Sequence, residues 1–155
     1  MSDPAPRPLR IAVGSDHAGF HARQTVMATL RELGVEVQDL GTETEASCDY
    51  PDFAIQVAQR VARKEADFGV LCCGTGIGMS IAANKVAGIR AAVCDSDFTC
   101  EMARRHNDAN VLCLGGRVVD DPATAALVRL FLRTPFEGGR HLRRVKKIAD
   151  LDRAR

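Results

Sequence analysis

The sequence predicts an α/β fold: a three-layer α/β/α arrangement, with a five-stranded parallel sheet between two helical layers and an extra helix at the C-terminus. Three observations predict it. Short apolar runs alternate with stretches of helical periodicity, the rhythm of successive βαβ units. Most of these runs are apolar almost throughout, as strands covered on both faces must be. Glycine, aspartate or proline separates each run from the next.

Taken in order, "LRIAVGSD" (9–16) reads as a strand, 19–33 as an amphipathic helix closed by Gly34, and "VEVQDLG" (35–41) as a strand. Pro51 opens a helix running to about Lys64, since its missing N–H costs nothing in a first turn. "FGVLCC" (68–73) is a strand and 77–86 a helix. "IRAAVCD" (89–95), 97–105, "VLCLGG" (111–116) and 122–133 continue as strand, helix, strand and helix. After Pro135 a basic helix over 139–152 has no strand behind it and is free to pack elsewhere. The whole reads as an open, Rossmann-like sheet. Residues 1–8 are expected to be a flexible extension and 9–155 a single domain.

With 155 residues, 21 basic and 20 acidic side chains, the near-neutral chain does not suit a general nucleic-acid or anionic-membrane partner. A small, discrete ligand fits better. The N-terminal "MSDPAPRPLR" lacks the apolar stretch of a signal peptide and no run reaches membrane-span length, so a cytoplasmic protein is expected. Its six cysteines are accordingly read as reduced, Cys94 and Cys113 as small core hydrophobes.

In such a sheet ligands gather beyond the carboxyl ends of the strands. "CCGTGIGMS" lies there. It is not a dinucleotide fingerprint: Gly74, Gly76 and Gly78 follow the third strand with the wrong spacing. Backbone N–H groups at a helix start can nevertheless hold an anion or an oxyanion, although a bland tight turn would read the same. Cys73, the last strand residue, stands just ahead of that positive end, a placement that lowers a thiol's pKa from about 8.5 to roughly 3.5–7.5. Because neighbours on a strand point oppositely, only one of Cys72 and Cys73 can face the loop. A phosphatase-type loop would need arginine six residues after its cysteine, where this chain has Met79, and no C-x-x-C redox pair exists.

Two further clusters suit chemistry. Asp16 and His17 end the first strand, where a carboxylate and an imidazole can handle a proton and an anion, or serve only as turn and cap residues. His17 and His21 have i, i+4 spacing but no third ligand, so no metal site is expected. Arg140 and Arg144 share a helical face, which suits a phosphate clamp or a solvated basic helix.

The motifs "SDHAGF", "DYPDFA", "CGTGIGMSIAANK", "RRHNDANVL", "GGRVV" and "EGGRHLRRV" together resemble the B-type ribose-5-phosphate isomerases and the related bacterial allose- and galactose-6-phosphate isomerases, over residues 9–150. The resemblance implies aldose–ketose interconversion through an enediolate, in carbohydrate metabolism, with neither metal nor organic cofactor. By this resemblance Cys73 is the base moving the proton between C1 and C2, and Thr75 assists at the substrate oxygens. The N–H groups of Gly74, Thr75, Gly76, Ile77 and Gly78 form the hole for the enediolate oxygen. Asp16 and His106 open the sugar ring, His106 as proton donor, and Asn107 binds hydroxyls. His17, Arg117, Arg140 and Arg144 grip the phosphate, and Tyr50 lines the pocket.

Cys73 ends a strand, whereas His106 and Asn107 precede one. In a parallel sheet these are opposite edges, separated by about 20 Å for a six-residue strand. A site shared between the subunits of a homodimer, or of a dimer-based tetramer, is therefore expected, and the last helix can serve the same interface. A non-catalytic sugar-phosphate-binding module and a thiol-based transferase or hydrolase are the rival readings. Among substrates ribose 5-phosphate is the family's commonest, while allose 6-phosphate stays open. The presence of Cys73 disfavours the galactose-6-phosphate isomerase subunit that lacks it.

Overall fold

All five expected strands and six expected helices form among residues 5–154, the part of the chain that the computed structural model describes. The strands are β1 (Arg10–Ser15), β2 (Glu36–Asp39), β3 (Phe68–Cys73), β4 (Ala91–Val93) and β5 (Val111–Gly115). The helices are α1 (Phe20–Glu32), α2 (Tyr50–Ala62), α3 (Ile77–Ala83), α4 (Asp97–Asn107), α5 (Asp121–Arg133) and α6 (Arg140–Asp152). Of the extension expected over 1–8, residues 1–4 lie outside the described residues.

Local chemistry explains the boundaries. Gly34, at φ 68°, takes the left-handed conformation just past α1. Ser96 and Asp120 accept the N–H groups of Thr99 and Ala123 and so start α4 and α5. β4 is shorter than the expected 89–95, because the Ile89 N–H turns back to the Val86 carbonyl and the Arg90 N–H goes to the Asn110 side chain. Likewise α3 stops at Ala83: the N–H groups of Lys85 and Val86 reach back only three residues, tightening its end into a turn.

The sheet is parallel throughout, in the order β2-β1-β3-β5-β4. One core layer packs Ile11, Val13, Val70, Cys72, Leu112 and Leu114 against α1, α4 and α5; the other packs Ala12, Leu71, Cys73 and Cys113 against α2 and α3. Arg104, 6 % exposed, bridges elements from inside. Its guanidinium lies over Phe68 and Phe131 at 4.8 and 5.5 Å and donates to the carbonyls of Thr134 and Ala109. From β1 the chain runs to β2 on one side and then returns to β3 on the other, so the loops leaving β1 and β3 diverge and open a crevice at the carboxyl edge.

At the opposite edge Arg7 makes a bidentate pair with Asp67, both bonds 2.8 Å, and the Arg10 N–H donates to the same carboxylate at 2.8 Å. The hydrogen bond from Arg7, reinforced by Arg10, holds the Asp67 carboxyl well below the usual carboxylate range. A depressed carboxylate stabilises the fold at pH values above its unfolded pKa of about 3.9 and loses that contribution as pH falls through the folded value. Asp67→Asn is therefore expected to cost about 1 kcal/mol at neutral pH, a modest figure because Arg7 is largely exposed. In thermal melts the gap between wild type and variant should hold from neutrality to about pH 5 and close below about pH 4. A gap of constant size down to about pH 2.5 would contradict this account.

Candidate active site

Cys73 ends β3 at the crevice, and its neighbour Cys72 faces the other core layer, as strand alternation requires. Burial pushes the Cys72 thiol up to about 12 and the Cys113 thiol also well up. Cys94 rises through its hydrogen bond with Cys100 and through burial. All six cysteines are free thiols, as their reading from sequence expected.

Cys73 differs from the four fully core cysteines in lining a cavity of about 460 Å³ with Asp16, His17, Tyr50, Thr75 and Arg117. The Gly76 N–H donates to its Sγ at 3.1 Å, a bond that a thiolate accepts more strongly than a thiol. Gly76 can aim its N–H this way because it sits at φ 81°, with the β5 backbone only 3.1 Å from where a Cβ would be. The Ile77 N–H is committed to Thr75 Oγ1 at 3.3 Å, whereas those of Gly74, Thr75 and Gly78 engage no other group among the described residues. Of the five N–H groups expected to form an anion hole, two are thus occupied within the loop itself.

The remaining walls come from other elements. Asp16 follows β1; one carboxylate oxygen accepts the Gly19 N–H at 3.0 Å, so this residue both closes the turn that leads into α1 and lines the cavity. His17 Nδ1 accepts the Cys48 N–H at 3.2 Å, which leaves Nε2 as the nitrogen that carries hydrogen in the neutral ring. His21 lies inside α1 whereas His17 precedes it, so the two do not share a helical face; His21 meets Asp121 at 3.0 Å instead. Tyr50 opens α2 and lays its ring against Gly78 so closely that a Cβ there would fall 2.6 Å from it. Arg117 arrives from the β5 turn beside Gly74.

The family model described as Ribose/Galactose Isomerase matches residues 11–148. The chain belongs to this family. Ribose-5-phosphate isomerase B of Escherichia coli is 48 % identical over 146 residues, covering 94 % of this chain and 98 % of its own. A structure of Clostridium thermocellum ribose-5-phosphate isomerase B is 46 % identical with a TM-score of 0.92, covering 94 % of this chain and 99 % of that one. A third relative, the Mycoplasma genitalium ribose-5-phosphate isomerase B crystallised with bound ribulose-5-phosphate, is 41 % identical with a TM-score of 0.91, over 97 % of this chain and 100 % of that one. Membership of the Ribose/Galactose Isomerase family makes the chain an isomerase.

The other residues that resemblance to this family singles out lie elsewhere. His106 and Asn107 end α4, four residues before β5, and Val111 pairs with Gly69 while Gly115 pairs with Cys73. They therefore occupy the opposite edge from Cys73, as strand direction requires, and Asn107 lines a different cavity with Asn84, Arg90 and Ile148. Arg140 and Arg144 occupy the exposed side of α6, which packs on α4. No sequence motif announces what meets His106. The His141 ring stacks on it at 4.1 Å, the planes 9° apart, and Glu137 stands 3.9 Å from each imidazole. Burial, then the neighbouring His106 and Arg140, push the His141 pKa down. No periodicity could have found this pair, since 35 residues and a whole βα unit separate the two rings.

Proposed function

We propose that the chain interconverts ribose 5-phosphate and ribulose 5-phosphate through an enediolate. The observation that carries this reading is the cavity at the β1/β3 divergence, where the Cys73 sulfur, pointed by the Gly76 N–H, shares its walls with Asp16, His17, Thr75 and Arg117. In the forward direction Cys73 takes the proton from C2 of the open-chain aldose and returns it to C1, so no net oxidation occurs. The negative charge that builds on the carbonyl oxygen is met by the unengaged loop N–H groups, and one such donor is worth about 2.7–4 kcal/mol of barrier. Thr75 hydrogen-bonds the same end of the sugar, and Tyr50 closes the pocket wall.

Ring opening precedes this step. Asp16 and His106 perform it, His106 donating a proton to the ring oxygen, while Asn107 holds hydroxyls. His106 and Asn107 reach Cys73 from the partner subunit of a homodimer, because they leave the other sheet edge of their own chain. His17, Arg117, Arg140 and Arg144 bind the phosphate, with α6 brought into place by the same association. Residues 9–155 act as one isomerase domain, and six unpaired cysteines suit the cytoplasm.

The family's description names galactose as well as ribose, which keeps a hexose phosphate such as allose 6-phosphate as the second reading. Purified protein should turn over ribose 5-phosphate with kcat/KM at least about tenfold above that for allose 6-phosphate, since discrimination is a ratio of these constants. The reverse ratio would assign the hexose phosphate. A binding module would hold both sugars yet exchange no C2 hydrogen with deuterated solvent, and that result would end the isomerase reading.

A further inference from the structure

We propose that His106, Glu137 and His141 form a binding site for a divalent transition cation of the zinc type, and that its occupancy arrests the isomerisation. The second clause rests on His106 being the ring-opening proton donor; the first does not.

The site is assembled from α4, α6 and the segment between α5 and α6. The Glu137 N–H donates to the Arg105 carbonyl at 3.0 Å, which pins that segment to the end of α4. His106 Nε2 then lies 3.9 Å from Glu137 Oε2, and His141 Nε2 lies 3.9 Å from Glu137 Oε1. The three ligand atoms fall within 4.8 Å of one another. Two imidazole nitrogens and one carboxylate oxygen are donors that zinc accepts, and three protein ligands leave a fourth position open.

A second observation points the same way. His141 is only 4 % exposed, and its Nε2, aimed at Glu137, has no hydrogen-bond partner. Buried polar atoms rarely stay unpartnered, because the lost hydration goes unreplaced. A metal bond would replace it. Arg105 meets the Glu137 carboxylate at 3.0 Å and orients it from outside, as outer partners of metal ligands do.

Binding asks for some movement. At Zn–N and Zn–O distances of about 2.0–2.2 Å, tetrahedral ligand atoms sit about 3.3 Å apart, so separations of 3.9 Å, and of up to 4.8 Å at the widest, must close by about 0.6–1.5 Å. The stacked rings also carry their lone pairs in parallel planes, so one must pivot. His106, about one-third exposed, can do so where His141 cannot. Arg105, Arg140 and Arg144 repel a cation, which sets the affinity below that of a structural zinc site. Once His106 Nε2 binds metal, it can neither hold nor donate a proton.

Zinc also accepts cysteine sulfur, so binding is measured on Cys73→Ala protein, freed of metal with a chelator, by calorimetry with Zn²⁺ and by the visible spectrum of Co²⁺. One cation per chain is expected. Adding His141→Ala or Glu137→Gln should weaken it at least about tenfold, the loss that even an outer-sphere partner's removal can cause. Glu137, an exposed residue, keeps the test valid if the buried His141 variant does not fold. Unchanged affinity in Glu137→Gln, or no binding at all, overturns the site. With Cys73 intact, zinc should inhibit reversibly, and Glu137→Gln should raise the half-inhibitory concentration at least about tenfold. An active isomerase that binds zinc at this cluster and keeps its rate overturns the inhibition clause. Metal-free protein with no isomerase activity would instead refute the proposed isomerisation, and the calorimetry would stand apart from it.

Discussion

Cys73→Ala is expected to lower kcat for ribose 5-phosphate by about 10²–10⁴-fold, the range a positioned general base supplies, with the fold retained. The side chain is small and almost buried, and its removal leaves one loop N–H, that of Gly76, to find water at the cavity wall. The loss should therefore appear in the rate and not in the melting temperature. The same variant tests the shared site. His106→Ala should be equally inactive, yet mixed and reassociated chains should regain activity, because a mixed dimer unites an intact Cys73 from one chain with an intact His106 from the other. Random pairing in a two-fold dimer predicts recovery toward about a quarter of the wild-type rate. Mixtures no better than their parents would refute the subunit-spanning site, and full activity in Cys73→Ala would remove the thiolate mechanism.

Gly115→Ala is expected to damage both stability and rate. Gly115 ends β5 directly beside Cys73, and a Cβ on it would fall 2.7 Å from the Thr75 carbonyl carbon and 2.8 Å from its Cα. These are backbone atoms, so no rotamer change relieves the clash. Overpacking of this kind costs about 1–3 kcal/mol, or about 3–10 °C in Tm for a chain of this size. The loop that presents Cys73 and Thr75 must yield, and a displacement near 1 Å costs about 10²-fold in rate. Gly34→Ala makes the control. Gly34 has positive φ but nothing within 4 Å of its would-be Cβ, so strain should lower Tm while kcat stays unchanged. Equal losses of kcat in the two variants would show that the Gly115 contact does not act through the loop.

The element order was legible in the sequence because each strand is a short apolar run closed by a turn residue, as in "FGVLCC" before Gly74 or "VLCLGG" before Arg117. The cavity half of the site was legible for a related reason. Asp16, His17 and the 73–78 loop each follow a strand directly, and strand direction alone sends them to one edge. The same rule separated His106 and Asn107 from them. Less legible was the commitment of the Gly76 and Ile77 N–H groups to Cys73 and Thr75, since it depends on the left-handed Gly76.

By itself, then, the sequence determined the succession of strands and helices, their common direction, and which reactive side chains share an edge, because these follow from local periodicity and chain polarity. Only the tertiary structure decided that β5 inserts between β3 and β4, so that Arg117 comes beside Gly74, and that α6 folds back on α4, so that His141 stacks on His106 above Glu137. Those contacts join residues dozens of positions apart, and they arise from the burial of apolar faces that admit several pairings until the whole core closes.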